Sequence, residues 1–511
     1  MLSIAKTVMA EEVELKLALA ASHQSRFLRH PLLKQAVLRH VENLDNIYYD
    51  TADLSLRRRG IALRLRRKGR DWLQTVKLAG SSTAGLSSRP EWETPYTGHF
   101  DFSCIDVLAV RDWLQRPKLL TRIIPICETR FRRITWKMPA AHGAVMLTLD
   151  RGWIIANGRR EAISEVELEL AGAPVHAIFE LATQLAERVA LTPSVLSKAE
   201  RGYRLHLGAP PVPFKAEVVA LSAAMPPFEA FLRIALSCLE HLQQNHAGAL
   251  ASDDPEYIHQ MRVATRRLRA ALRLFAPALP EHLAESLRAP LSALTKELGR
   301  ARDLDVLLTE IANPVLCALP NEPRLLALAS DITNRRYAAH AQAVTLLAAP
   351  DYGRMLLTAL ESLHAMPATE PPMIELLSFA AERLKRLRKR LRRLAVAADI
   401  EDPASLHALR IGVKRLRYAL EFFSPLTPER ASHPVLKQLT TVQDTLGQLN
   451  DLTNAGALLM DCAGVDPRLR EAVTLIGGWH GPHYASLLAS ISGELPRLVR
   501  LRLPKLHRHA G

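Results

Sequence analysis

The stretch Glu12-Val13-Glu14-Leu15-Lys16 alternates charged with apolar side chains, so a strand here points two carboxylates and an ammonium the same way. An ordinary half-buried strand turns its apolar set inward and its polar set to water, and a single strand of this kind decides nothing. The alternation recurs, however, in Arg64-Leu65-Arg66, Thr75-Val76-Lys77, Glu91-Trp92-Glu93 and Glu165-Val166-Glu167-Leu168-Glu169-Leu170. Several strands therefore share one charged face, with carboxylates from Glu12, Glu14, Glu165, Glu167 and Glu169 and cations from Arg64, Arg66 and Lys77. A closed antiparallel barrel with a polar lumen would gather both sets. Clustered carboxylates are tolerable there if divalent cations bridge them, and arginine and lysine then clamp phosphoryl oxygens, which suits a substrate made only of phosphate.

At 511 residues and 48% hydrophobic content the chain has core material for about three ordinary domains. A net charge of +15 implies attraction to a polyanion, whether phosphate polymer, nucleic acid or anionic surface. Cys104, Cys127, Cys238, Cys317 and Cys462 are odd in number, widely spaced and free of any Cys-x-x-Cys pair, which argues against a disulfide framework or thiolate zinc site and for a reducing, cytoplasmic setting. No secretion signal and no apolar run long enough to span a bilayer is read from the chain, so no membrane partner is expected.

Residues 1–207 read as short strands broken by turns such as Asp71-Trp72, Ala79-Gly80-Ser81 and Asn157-Gly158, with helices near 32–43 and 175–189. A proline-dense linker over 208–226 follows, and 227–511 switches to helical period. This second half repeats itself: His259-Gln260-Met261-Arg262-Val263-Ala264-Thr265-Arg266-Arg267-Leu268-Arg269 returns 148 residues later as His407-Ala408-Leu409-Arg410-Ile411-Gly412-Val413-Lys414-Arg415-Leu416-Arg417. Two copies are expected, over about 227–366 and 373–511. In each, a basic stripe (His259, Arg262, Arg266 and Arg269; His407, Arg410, Lys414 and Arg417) runs beside an apolar one, and two such helices brought together make a concentrated cationic surface. The arginine-rich run 383–393 keeps leucines at helical spacing and favours a bound polyanion too. Sparse aromatics in this half argue against nucleic acid as its dedicated partner.

Both halves resemble known families. The Glu12/Glu14/Lys16 signature, Arg64 and Arg66, Lys77, Arg133-Ile134-Thr135-Trp136, Leu149-Asp150-Arg151-Gly152, the Glu165/Glu167/Glu169 strand and Ser197-Lys198 resemble a CYTH domain of the triphosphate tunnel metalloenzymes. His259-x-x-Arg262 and His407-x-x-Arg410 resemble a CHAD domain, and the tandem order is similar to that of bacterial inorganic triphosphatases. The resemblance implies an α+β chain: an antiparallel β-barrel tunnel followed by an all-α helical bundle with internal two-fold repeat.

It further implies a hydrolase that cleaves tripolyphosphate with Mg²⁺ or Mn²⁺, and inorganic polyphosphate as ligand of the helical half. Carried over by position, Glu12, Glu14, Asp150, Glu165 and Glu167 would hold the metals, with Glu169 a further candidate. Arg64, Arg66, Lys77, Arg133 and Lys198 would grip phosphate, Arg130 competing with Arg133 for its place. Lys16 would orient or deprotonate the attacking water, which requires its pKa to be lowered. Asp303 and Asp451 would pair with the arginines of the helical repeats. The rival readings are an adenylate-cyclase-type or nucleoside or thiamine triphosphatase tunnel, and a non-catalytic polyphosphate scaffold.

Overall fold

A computed structural model describes residues 10–365 and 374–507. Of these, the first unit takes in the residues up to Val212 and Ala348–Ala365, and the second Pro213–Leu347 and 374–507.

Ten strands build the first unit: β1 (Ala10–Leu19), β2 (Leu38–Thr51), β3 (Ile61–Lys68), β4 (Asp71–Leu78), β5 (Ser81–Thr83), β6 (Leu86–Pro95), β7 (Ile123–Ala140), β8 (Gly143–Ala156), β9 (Arg159–Ala171) and β10 (Leu191–Pro193). They pair antiparallel in the order β10-β1-β9-β8-β7-β2-β3-β4-β6-β5, and a further β1–β6 pairing closes β1, β9, β8, β7, β2, β3, β4 and β6 into a barrel. Closure removes the exposed edges that an open sheet would carry. The hairpin β8–β9 turns at Asn157-Gly158, both with positive φ (48° and 74°), as the tightest hairpin turn demands.

The longer helices are α1 (Val175–Ala186), α2 (Lys198–Leu207), α3 (Pro227–Ala251), α4 (Pro255–Leu274), α5 (Glu281–Val306), α6 (Pro323–Ala348), α7 (Pro350–His364), α8 (Leu376–Val396), α9 (Pro403–Phe422), α10 (Glu429–Ala463) and α11 (Pro467–Val499). Because the lumen takes the charged side chains, the apolar set faces outward and must be covered. Helix α1 packs on β9, whose Val166 and Leu168 are fully buried, through a stripe that includes Ile178, Phe179, Ala182 and Leu185. On the far wall Leu63, Val76 and Trp92 of β3, β4 and β6 lie under Phe102, Ile105, Leu114 and Leu119.

The helix expected near 32–43 is absent. Residues Pro31–Gln35 form a 3-10 turn, and from Leu38 onward the chain is β2, paired with β7 along its whole length. Pairing across the sheet overrides a sequence that carries helical spacing. The turn expected at Asp71-Trp72 falls just before it, between β3 and β4, with Gly69 at φ +65°.

Helix α7 is encoded inside the first helical repeat, yet it belongs to the barrel unit. It packs on α1 and β10, the His364 ring stacking on Phe179 at 5.3 Å between centroids. Its approach is closest at Gly353, where a Cβ would stand 1.9 Å from the Leu191 carbonyl oxygen, so only glycine fits.

In the helical unit the repeat is geometric as well as textual. At the 148-residue offset α4 maps onto α9 end to end, each entered through an aspartate cap and a proline (Asp254-Pro255, Asp402-Pro403) and each closed by a phenylalanine, Phe275 and Phe423. Those two rings meet edge to face at 5.7 Å, with Phe231 and Phe379 packed on Phe275. The copies diverge after α5, which runs into a π-type turn over Leu307–Ala312 while α10 continues as regular helix to Ala463. Among the described residues no helix is long and apolar enough to cross a membrane. Phe275→Ala should destabilise the helical unit by about 3–5 kcal/mol, since a fully buried ring contacting three others is deleted, and urea unfolding followed by circular dichroism measures the loss.

Candidate active site and cationic grooves

Period-two geometry carries the charges of six strands into one cavity of about 470 Å³. Glu14 and Lys16 come from β1, Arg64 and Arg66 from β3, Lys77 from β4, Arg89, Glu91 and Glu93 from β6, Arg133 from β7, and Glu167 and Glu169 from β9. Lys198 enters from the first turn of α2, whose start is fixed by Ser197, its Oγ accepting from the Glu200 N–H. Helix α2 lies close on the barrel wall, since a Cβ at Gly202 would stand 2.3 Å from Cys127 Sγ.

The acids concentrate at one place. Asp150 and Glu165 are register partners on β8 and β9, and oxygens of Asp150, Glu165 and Glu167 lie within 4.8 Å of one another. Asp150 is fully buried and Glu165 is 4% exposed, so their charges require partners. Lys198 Nζ supplies one to each: 2.7 Å to Asp150, 2.5 Å to Glu165 and 3.0 Å to Glu167. Arg133 forms a fork on Asp150 at 2.7 and 2.6 Å and reaches Glu167 at 2.6 Å. Arg201, outside the lining, holds Glu165 at 3.0 Å and Glu161 at 2.7 Å. Burial alone would lower the Lys198 pKa, but Asp150, Glu165 and Glu167 outweigh it and the ammonium is held protonated; Glu167 is correspondingly held well below the usual carboxylate range by Lys198, Arg133 and Lys16, against its own burial.

Lys16 bridges Glu14 at 3.7 Å and Glu167 at 3.5 Å, while Glu14 also takes Arg89 at 2.5 Å and the Ser87 hydroxyl at 3.1 Å. The expected lowering of the Lys16 pKa does not occur. Burial and the Lys198 charge pull it down, but Glu14, Glu167 and Glu165 prevail and raise it, so Lys16 stands in this lumen as a cation. At the opposite wall Lys77 and Arg64 converge on Glu91 at 2.8 and 3.5 Å. Among the described residues Arg66 has no carboxylate within 4.0 Å: its Nε donates to Asn46 Oδ1 at 3.0 Å, and burial with Arg64 and Arg133 nearby pushes its pKa down to about 10.

Arg133 lines the cavity, whereas its rival Arg130 is exposed on the outer face and paired with Glu128 at 2.7 Å. Glu169 lines the cavity from an exposed position. The backbone of Glu12 pairs with Arg89 in β1–β6; its side chain lies outside the described residues. Arg89 is the site cation absent from the sequence expectation, although Arg89, Glu91 and Glu93 form one period-two series on β6 with Pro90 and Trp92 on the other face. Arg201 carried no such signal, because its role depends on how α2 sits.

In the helical unit two cavities share Arg262 and Arg266. One, about 620 Å³, is lined by His259, Arg302, Asp303 and Arg410 in addition; the other, about 650 Å³, by Arg269, Arg273, Arg383, Arg390, Lys414 and Arg415. His407 and Arg417 line neither: His407 Nδ1 contacts Asn450 at 3.1 Å, and Arg417 donates to Gln443 at 2.8 Å and pairs with Glu421. Asp303 takes Arg262 at 3.1 Å, whereas Asp451 accepts from Asn450 at 3.3 Å. The Lys414 ammonium has its pKa pushed down to about 7 by burial and by Arg266, Arg410, Arg262 and Arg417. Burial, then Arg302, likewise lowers His259, whose Nδ1 is buried without a partner, as are the Nε atoms of Arg266 and Arg410.

The CYTH domain family matches residues 10–203 and the CHAD domain family residues 233–460. The chain belongs to the CHAD family through its helical half and carries a CYTH domain before it. A solved CHAD domain from the plant Ricinus communis is 36% identical, covers 58% of this chain and 99% of its own, and superposes with a TM-score of 0.51. The inorganic triphosphatase of Haemophilus influenzae is 31% identical over 202 residues, 39% of this chain, and the chain spans only 56% of that relative's length. A putative adenylyl cyclase from Hippeastrum, described as having a dominant triphosphatase activity, aligns at 20% identity over 38% of this chain and 95% of its own, with a TM-score of 0.30.

Lys198→Met should leave three carboxylates facing one another with one ammonium fewer and cost about 3–5 kcal/mol in urea unfolding. Millimolar Mg²⁺ should raise the melting temperature of that variant more than that of the wild-type chain, as expected of an acidic cluster that can take a divalent cation.

Proposed function

We propose that the barrel is a metal-dependent inorganic triphosphatase that hydrolyses tripolyphosphate to pyrophosphate and phosphate, and that the helical half binds inorganic polyphosphate. The observation that carries the reading is one cavity in which cations from six separate elements face a buried carboxylate cluster. The cavity lining carries more cations than carboxylates, as a polyanionic substrate requires.

Asp150, Glu165 and Glu167 form an oxygen-only donor set, which fits Mg²⁺ or Mn²⁺, and the resemblance adds Glu12 and Glu14 to it. Such an ion, when bound, neutralises phosphate charge and polarises the transferred phosphoryl group. The chain's own cations do the positioning. Arg64, Arg66 and Lys77 on one wall and Arg133 and Lys198 on the other hold the phosphate chain in line for water attack, and their fixed charges stabilise a transition state whose charge is spread over phosphoryl oxygens. Lys16, between Glu14 and Glu167, orients or deprotonates the attacking water.

Lys16→Ala should lower kcat for tripolyphosphate about 100-fold or more with little change in KM, whereas Arg66→Ala should raise KM as well. Phosphate release with Mg²⁺ and Mn²⁺, assayed beside ATP and thiamine triphosphate and with cyclic nucleotide monitored, tests both the roles and the substrate; an unchanged kcat removes Lys16 from the mechanism.

For the helical half, Lys414 is crowded by Arg262, Arg266, Arg410 and Arg417, and a bound polyanion would restore its proton. Its pKa is lowered in the free groove, so the charge is present below pH 7 and shed above it. Polyphosphate affinity should therefore fall as pH rises from 7 to 9, by at most about tenfold per pH unit for one proton. Calorimetric titration should show this slope flattened in Lys414→Met.

A further inference from the structure

Outside the lumen, the wall formed by β2, β7 and β8 carries a second concentration of cations. Register places Arg132 of β7 opposite Arg151 of β8, and both project outward because Arg133 and Asp150 beside them project inward. Like charges directly opposite one another across two strands are destabilising. The segment from Leu28 to Lys34 folds over this wall and completes a cavity of about 400 Å³ lined by Arg29, His30, Lys34, Arg39, Arg132 and Arg151 above an apolar floor that includes Trp136. In the lumen most cations meet a carboxylate. Here, among the described residues, none of these four arginines or Lys34 has a carboxylate within 4.0 Å.

A second observation points the same way. His30 is 6% exposed, and its Nδ1 accepts from the Leu32 N–H at 3.3 Å, which places the ring proton on Nε2. That Nε2 is buried and has no partner, and neither has the buried Nε of Arg151. Burial and the nearby Arg188 keep the imidazole neutral against the opposing charge of Glu187. The cavity thus combines orphaned N–H donors with clustered positive charge, and an acceptor-rich anion satisfies both.

We infer that this outer cavity is a second, non-catalytic site for a short inorganic phosphate chain, held between Arg132 and Arg151 with His30 Nε2–H donating to one of its oxygens. A nucleic acid is the poorer occupant, since Trp136, 3% exposed, offers no face on which a base can stack. The inference does not depend on hydrolysis in the lumen.

The test is arginine modification of the full-length chain by phenylglyoxal, read peptide by peptide by mass spectrometry during titration with pyrophosphate. Arg132 and Arg151 should be protected saturably, and equally in an Arg64→Ala/Arg66→Ala chain whose lumen is disabled. His30→Phe should raise the half-protecting concentration about tenfold, the cost of one hydrogen bond to a charged group, and His30→Gln, which keeps an N–H donor, should restore it. Reactivity at Arg132 and Arg151 that pyrophosphate leaves unchanged overturns the proposal. So does protection that disappears with the lumen variant, or protection by phosphatidylglycerol vesicles and not by pyrophosphate.

Discussion

One ammonium, Lys198 Nζ, lies within 3.0 Å of carboxylate oxygens on three residues, and the barrel interior depends on that arrangement. Asp150, Glu165 and Glu167 cannot be buried together as anions unless positive charge sits among them, and Lys198 and Arg133 provide it. The remainder of the barrel follows from keeping those charges inside. Charged residues of six strands point into the lumen, much of the apolar set faces outward, and α1 and the Phe102–Leu119 segment cover it.

How legible this was depended on how local each signal is. A strand alternating Glu-Val-Glu announces its own period, so β1, β3, β4 and β9 could be read from short windows, and the 148-residue repeat predicted two equivalent helices that the structure superimposes residue for residue. Strand β2 could not be read so, because Leu33 to Leu44 carries helical spacing and only its partner β7 reveals the strand. Arg130 and Arg133 differ by strand parity, which no composition reveals. The Lys16 pKa departs from the sequence expectation for a related reason: its neighbours along the lumen are as much carboxylate as cation, and which of them lie close is a property of register.

The helical unit shows how far a repeat constrains function. His259 and His407 occupy equivalent helix positions, yet His259 faces a cavity with Arg302 while His407 is engaged by Asn450, the residue that stands at the repeat position of Arg302. Identical scaffolds thus present unequal surfaces. Arg262 and Arg266 from the first copy line both cavities, whereas their repeat counterparts Arg410 and Lys414 line one cavity each.

Helix α7 gives the chain an unusual division of labour, because a piece of the barrel's outer covering is written more than a hundred residues after the last strand. Severing the chain at the proline-rich boundary would leave the ring of Phe179 and the backbone of Leu191 without their cover. A fragment ending there would present a fresh sticky face to solvent and tend to clump, so the two halves are modular in their text and interdependent in their solubility.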